Sequence, residues 1–299
     1  MEIEREKRKG ETLTLFNAVL WAFFPVVTIF SYAILPSLVS LAWSTLFAAI
    51  FFAGVMTYRN KWHELKNPTL WKYSFWIALF IGVLFYGFFF LGLERTTAGN
   101  AAIITQFEVF TMFFLFHVLR GERMSIEYKI GSALMVLGAL IVLAKDFTHF
   151  NVGDILILIA TFCSPLGNLY QQKARAFASS ESIMFLRSLL SLPPVFAVAY
   201  FFYGNIPSSA VYDSLPVLIL NGVLFLGISK IIFIESIHRI SVTKAIALGS
   251  ITPLLTLIAA WPLLDQIPNI WQLISLLPIL LGVFLLTDNI KFKNTYSTQ

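Results

Sequence analysis

Charged residues are scarce in this sequence: aspartate, glutamate, lysine and arginine together make up 12% of its 299 residues. Soluble globular domains have about twice that share, roughly 25%. Hydrophobic residues are correspondingly abundant, at 58%. This balance excludes a water-soluble domain and indicates a chain that is solvated mostly by lipid.

Motifs for catalysis or metal binding are also missing. Cysteine occurs once, at Cys163 in an apolar run, so the chain cannot form an internal disulfide. The four histidines are scattered without metal-ligand spacing, and the sequence has no phosphate-binding loop of the GxxxxGKS or GxxxxGKT type. We therefore expect no metal, no cofactor and no ATP-driven mechanism. A membrane-embedded enzyme remains the less favoured alternative to a transport protein.

The net charge of +5 does not indicate a nucleic-acid partner. Its basic residues lie in short loops between apolar runs and make no continuous basic face. The expected partners are instead a small-molecule substrate and the lipid bilayer, and the expected assembly is a monomer or a homodimer.

What the chain has instead is a series of long apolar segments. A bilayer core about 30 Å thick is crossed by roughly 20 helical residues. Ten segments are of about this length, which predicts an all-α membrane protein with ten transmembrane helices. The predicted spans are residues 12–34, 37–57, 71–92, 97–119, 126–144, 153–172, 182–203, 214–235, 242–263 and 269–287.

The two halves of the sequence match each other at a shift of 144 residues. Arg95 aligns with Arg239 and Gly138 with Gly282, while a GVLF string recurs after 140 residues. Each half holds five predicted spans, and an odd number reverses the second copy in the membrane, so we expect two inverted five-helix repeats. The expected organisation is a cytoplasmic N-terminal tail at 1–11, a first repeat at 12–144, a second repeat at 153–287 and a cytoplasmic C-terminal tail at 288–299.

Basic residues are distributed unevenly over the predicted loops. With the N-terminus inside, sixteen lysines and arginines fall on the inner side and only Arg95 and Lys145 on the outer side. Short loops follow the positive-inside rule, so we expect both termini in the cytoplasm. The charged start, MEIEREKRKGE, precedes an apolar run without a clear cleavage site, which indicates a retained first span. The expected location is a bacterial inner (plasma) membrane.

One stretch of the first half, residues 97–143, has a characteristic order of motifs. It begins with small residues, carries Glu108 in the fourth span, continues to a Gly-Glu-Arg corner at 121–123, and ends with Gly131 and Gly138 in the fifth span. This order resembles that of the EamA-type family of drug/metabolite transporters, which has a Glu-Pro pair in the fourth helix.

The sequence departs from this family pattern at the Glu-Pro pair. Val109 replaces the proline in the first half; the second half keeps it as Pro253 but has Thr252 in place of the glutamate. The resemblance implies a ten-helix carrier in which helices one to four of each repeat surround a central cavity. Many family members export amino acids or other small metabolites.

The expected function is therefore a secondary transporter, and an exporter, of a small amphiphilic metabolite such as an amino acid. It would work by alternating access, coupled to a proton or to exchange. An uptake carrier of the same fold is the alternative.

Glu108 is the first candidate for a substrate-binding or coupling group. It lies near the middle of the fourth span, where an ionised side chain costs a few kcal/mol unless it is paired, faces a wet cavity or has a function. Thr105 shares its helical face, and phenylalanines occupy the opposite one. Glu108 can bind an ammonium group, carry a proton, or serve only as a structural buried acid.

Two basic residues in the second half are further candidates. Arg187 lies six residues after Glu181, roughly 9 Å into the seventh span. It can hold a carboxylate bidentately, or instead snorkel to the headgroups or pair with Glu108. Lys230, inside the eighth span, can likewise face the cavity or snorkel to the interface. Arg239 follows Glu235 by four residues, the spacing of an ion pair at a helix end.

Neutral polar side chains extend the candidate site, although any one of them is more often a helix-packing group. Prolines near the middle of a span are expected to break the helix close to a binding site. The polar candidates are Tyr86, Thr105, Asn168, Asn221 and Thr252, and the expected helix breaks are at Pro25, Pro165 and Pro253.

Overall fold

The structure, a computed structural model, describes residues 2–120, 126–143, 151–237, 239–240, 245 and 248–286. These residues form helices and connecting turns, with no strand among them. The predicted Gly-Glu-Arg corner at 121–123 and the C-terminal tail at 288–299 lie outside the described residues.

Within the described ranges, eight helices are long and apolar enough to cross a membrane, and two shorter apolar helices follow them. Each of the ten predicted spans overlaps one of these helices, so the chain is an all-helical, multi-pass membrane protein. We number them α1 Glu2–Ser31, α2 Ser37–Tyr58, α3 Pro68–Leu93, α4 in two parts (α4a Ala98–Thr105 and α4b Phe107–Arg120), α5 Ile126–Leu143, α6 Val152–Ala174, α7 Ser180–Tyr203, α8 Ser208–Ile237, α9 Thr252–Leu264 and α10 Ile270–Leu286.

Two of these helices contain a segment of π-helix, Ala78–Phe85 in α3 and Leu220–Ile228 in α8. Each segment contains one of the two GVLF strings, and the glycine of each string packs tightly against another helix. A Cβ atom on Gly82 would collide with Ser191 of α7, and one on Gly222 would collide with Phe47 of α2. The π segments are therefore places where α3 approaches α7 and α8 approaches α2 closely.

Helices α1 and α6 run without interruption through Pro25 and Pro165, which corrects the expectation of a break at each proline. A proline removes a single backbone N–H, and neighbouring helices in a membrane can satisfy the carbonyl that is left free. The carbonyl freed by Pro165 is that of Thr161, and the hydroxyl of Thr111 in α4b donates to it at 2.7 Å. This hydrogen bond explains how α6 continues.

The interruptions lie instead in α4 and just before α9. Helix α4 is broken at Gln106, between α4a and α4b, and α9 begins at Thr252 after a turn at residues 250–251. Pro253 lies in the first turn of α9, where a proline is well tolerated. The side-chain amide of Gln106 donates to the backbone carbonyl of Ser250 at 3.2 Å, and these residues are 144 apart. The two interruptions are thus in direct contact.

Helices α5 and α10 pack against each other through glycines. A Cβ atom on Gly138 would collide with Ile279, and one on Gly282 would collide with Met135 and lie 2.7 Å from the carbonyl oxygen of Gly131. Gly138 and Gly282 are again 144 residues apart, as are Met135 and Ile279. Each of the two helices therefore packs a glycine against the equivalent side chain of the other helix.

Two sets of polar contacts, at opposite ends of α3, join the first half of the chain to the second. At one end, Arg59 forms an ion pair with Glu181, and the carboxylate of Glu64 accepts from the backbone N–H and hydroxyl of Ser179, both at 2.8 Å. We call this set the Glu64 latch.

At the other end of α3, the carboxylate of Asp154 accepts from the hydroxyl of Thr96 and from the amide of Asn100, at 3.1 Å to the nearer oxygen. Gln272 of α10 donates in turn to Asn100 at 2.7 Å. We call this set the Asp154 network.

Candidate functional site

Glu108 lies in the first turn of α4b, directly after the interruption at Gln106. Its carboxylate accepts hydrogen bonds from the hydroxyl of Ser164 and, at 3.2 Å, from the amide of Asn168, both on α6. The exposed N–H groups at the start of a helix also favour a negative charge. The broken helix therefore gives a carboxylate in the membrane interior a polar, partly positive environment.

Arg187 lies on α7 and is buried, with 4% of its surface exposed. Its guanidinium group is 5.8 Å from the centre of the Tyr86 ring on α3. Tyr86 is itself buried and follows directly after the π segment of that helix. The structure thus places Arg187 deep between helices, not at the headgroup surface that a snorkelling side chain would reach.

Lys230 of α8 occupies a related position. Its ammonium nitrogen lies 3.7 Å from the centre of the Trp21 ring on α1. Lys230 is 144 residues after Tyr86 and, like Tyr86, comes just beyond a π segment. Because a π turn rotates the following residues relative to an α-helix, both segments determine which side chains face the centre.

These side chains meet in one group. Lys230 interacts electrostatically with both Arg187 and Glu108, and Tyr86 interacts with the same two residues. Glu108, Asn168, Lys230 and Trp21 are only partly buried although they lie within membrane-spanning helices. We call Trp21, Tyr86, Glu108, Ser164, Asn168, Arg187 and Lys230 the central cluster.

The charges of the central cluster are held near one another without being paired. Among the described residues, no ion pair within 4 Å joins Glu108 to Arg187 or to Lys230. The interpretation of Glu108 and Arg187 as a structural salt bridge therefore has no support in the geometry. Arg187 and Lys230 retain hydrogen-bond donors and Glu108 retains acceptor capacity, so the cluster can bind charged groups of a ligand.

Three other predicted site residues form hydrogen bonds outside the central cluster, one within its own helix and two with α1. Thr105 donates within α4a to the carbonyl of Ala102 at 2.8 Å. Asn221 accepts from Thr28 of α1 at 3.3 Å, and Thr252 lies 3.5 Å from the carbonyl of Ala18, also on α1.

The predicted ion pair at the end of α8 is present. Arg239 binds Glu235 at 2.7 Å, and it also reaches Glu6 at 2.9 Å. This pair joins the start of α1 to the connection that follows α8.

The central cluster includes two residues that the sequence did not indicate, Ser164 and Trp21. Ser164 precedes Asn168 by one helical turn, so the two share a face of α6, and this spacing was the available signal. Trp21 offered no signal, because an aromatic residue in an apolar helix is usually a packing or lipid-facing group.

Comparison with known proteins agrees with this architecture. The EamA-like transporter family matches the chain twice, at residues 8–144 and 151–288. An uncharacterized transporter of Methanothermobacter thermautotrophicus is 27% identical over 67% of this chain and 60% of its own length. Two uncharacterized transporters of Bacillus subtilis also match: YvbV is 23% identical over 97% of this chain and 93% of its own length, and YoaV is 20% identical over 71% and 74%.

A crystal structure shares the fold, with a TM-score of 0.62 and 18% identity, over 92% of this chain and 95% of that one. Because the family match extends over both halves, the chain belongs to the EamA-like transporter family and is a membrane transporter.

Proposed function

We propose that this transporter is a secondary carrier that exports a small amphiphilic metabolite, such as an amino acid, by alternating access. The observation that carries the proposal is the central cluster itself. Glu108, Arg187 and Lys230 come together inside membrane-spanning helices, at the level where α4 is interrupted. Ionisable groups at such a depth are costly, and discontinuous helices are typical of substrate sites in carriers.

In this proposal the two halves are inverted repeats that move relative to each other. The family matches both halves separately, and the contacts of α5 with α10 recur at a shift of 144 residues. The hydrogen bond between Gln106 and Ser250 joins equivalent positions of the two halves. A pseudo-twofold axis through this contact accounts for these observations and is the arrangement that opens one site to either side.

Alternating access also needs closures on both sides of the central cluster. The Glu64 latch and the Asp154 network lie at opposite ends of α3, and each connects the first half of the chain to the second. With the N-terminus in the cytoplasm, the Glu64 latch is the cytoplasmic closure and the Asp154 network the outer one. Opening to one side would break one set of contacts and preserve the other.

Glu108 is the group that we assign to coupling. A carboxylate with two neutral donors and no paired cation can take up a proton or meet a cationic group on the substrate. The chain would then work by proton coupling or by exchange in a bacterial inner membrane, as a monomer or a homodimer.

The test is a metabolite profile of spent medium and cell extracts. Cells producing the wild-type chain are compared with cells producing equal amounts of Glu108→Gln and of Glu4→Gln, a control that changes an exposed carboxylate. The proposal predicts one compound class enriched outside the cells with the wild type and with Glu4→Gln, but not with Glu108→Gln. Depletion of a compound from the medium would indicate uptake instead, and identical profiles with all three chains would contradict the assignment of Glu108.

A further inference from the structure

The charges of the central cluster do not cancel. When all three side chains are ionised, Arg187 and Lys230 carry two positive charges against the single negative charge of Glu108, a surplus of one positive charge. A net charge near the middle of a bilayer is unfavourable unless something compensates it. The central cluster therefore has the charge balance of a site that accepts one anion.

The positions of the two cations leave hydrogen-bond donors for such an anion. The carboxylate of Glu108 is occupied by Ser164 and Asn168, which are neutral donors. Arg187 instead lies against the Tyr86 ring and shares a side-chain hydrogen bond with Tyr86, and Lys230 lies against the Trp21 ring. An aromatic ring is a weak partner for a cation compared with a carboxylate, and it leaves most of the N–H donors unused.

The surroundings of these cations are apolar and aromatic. The Trp21 ring stacks on Phe24 at 4.6 Å between centroids, and Phe24 in turn contacts Tyr86, Phe89 and Phe225. Trp21 is only partly buried, whereas Phe24, Phe89 and Phe225 are buried behind it. An organic anion would place its charged end on the cations and its apolar part against the Trp21 ring.

We propose that the central cluster binds an organic molecule with one net negative charge, a monocarboxylate or an acidic amino acid, with the carboxylate between Arg187 and Lys230. This inference rests on the proposed carrier function and specifies its substrate class. One negative charge neutralises the surplus, whereas a neutral zwitterion leaves it, a cation increases it and a dianion reverses it.

The test is thermal unfolding of the purified protein in detergent. The probes are a series of monocarboxylates from acetate to phenylpropanoate, with the primary amide and primary amine of each carbon skeleton. We expect the longer carboxylates at saturating concentration to raise the midpoint of wild-type unfolding by roughly 3–6 °C. The amides and the amines should leave the midpoint unchanged.

Three variants connect the response to the cluster. Arg187→Gln and Lys230→Gln should each lose the stabilisation by carboxylates. Lys173→Gln is the matched control, because Lys173 also lies over an aromatic ring, 5.6 Å from that of Tyr170, but it is exposed and outside the central cluster. This control should respond like the wild type.

A fourth variant tests the charge balance and does not depend on folding of the arginine and lysine variants. Glu108→Gln would raise the surplus from one positive charge to two. It should change the preference from monomethyl succinate toward succinate, whereas the wild type should prefer the monoester.

The inference is overturned if amines stabilise the protein as much as carboxylates do, if none of the carboxylates stabilises it, or if Glu108→Gln keeps the wild-type preference. Carboxylate binding without transport in liposomes would instead contradict the carrier function and leave the charge preference standing. Transport of amines or neutral amides alone would support the carrier and refute the anion.

Discussion

Replacement of Glu64 by glutamine is expected to loosen the end of the protein that the Glu64 latch holds together. The carboxylate of Glu64 accepts two hydrogen bonds from Ser179 at the start of α7 and lies 3.2 Å from Lys61. A hydrogen bond to a charged group stabilises by about 1.5–3 kcal/mol, and one between neutral groups by about 1 kcal/mol. Glutamine keeps an acceptor but loses the charge, so the latch should weaken by about 2 kcal/mol, roughly 30-fold in its opening equilibrium.

The assay is the labelling of a buried cysteine by a water-soluble maleimide. Ser188 lies on α7 with 1% of its surface exposed, well inside the end that the Glu64 latch closes. In a Cys163→Ser background, Ser188→Cys should react roughly 30 times faster when Glu64 is glutamine. Glu4→Gln, which changes an exposed carboxylate, should leave the rate unaltered. Equal rates in all three proteins would refute the latch.

The Glu64 latch also predicts how the labelling rate depends on pH. Partial burial raises the pKa of Glu64, but hydrogen bonds from Ser179 and Ser182, together with Lys61, outweigh burial, so its pKa lies below the usual value of 4.5. The latch is therefore fully formed above pH 4.5 and weakens as the pH falls through the lower pKa of the closed state. Labelling, corrected with a surface cysteine, should be constant from about pH 5 to 8 and should rise only below that window.

Two further predictions concern packing within the membrane. Gly282→Leu should lower the thermal midpoint by roughly 3–10 °C, because its side chain would collide with Met135 of α5; Gly54→Leu, where a Cβ atom meets nothing within 4 Å, should be tolerated. Equal midpoints for the two variants would show that α5 and α10 do not pack as described. Thr111→Val should destabilise the protein by about 1 kcal/mol through loss of the hydrogen bond to the carbonyl freed by Pro165. Thr12→Val, which removes an exposed hydroxyl bonded only to its own helix, should show no change in the same unfolding assay, and an equal loss would contradict the role of Thr111.

The helices could be predicted from the sequence because lipid imposes a length and a polarity on each span. Every described helix from α1 to α10 overlaps a predicted span, and the family resemblance was confirmed. Glu108, Arg187 and Lys230 could be selected as candidates from the sequence, since an ionised residue within an apolar run needs a partner or a function, and their role in transport stays a prediction. Their arrangement around Tyr86 and Trp21 depends on how six helices pack, which a linear pattern does not contain.

The interruptions and π segments of the helices were the features that could not be predicted correctly from the sequence. Pro25 and Pro165 suggested breaks, yet both helices continue. At Pro165 the hydroxyl of Thr111, on another helix, donates to the carbonyl that the missing N–H leaves free. The interruption at Gln106 has no proline near it, and Val109 occupies the position of the proline in the family pattern. Gln106 contacts Ser250, which lies 144 residues away in the sequence. The π segments arise where Gly82 and Gly222 meet α7 and α2. These features follow from contacts between helices, so local propensity does not reveal them.

Counterflow in liposomes is the most direct test of the claim that the central cluster is the transport site. Purified wild-type protein, Arg187→Gln and Glu4→Gln would be reconstituted at equal density and loaded with an unlabelled mixture of amino acids and monocarboxylates. Entry of the labelled mixture would then be followed over time. The proposed mechanism predicts saturable accumulation with the wild type and Glu4→Gln, and at least a tenfold lower initial rate with Arg187→Gln. Accumulation by Arg187→Gln at the wild-type rate, or no accumulation above protein-free liposomes with any of the three, would contradict it.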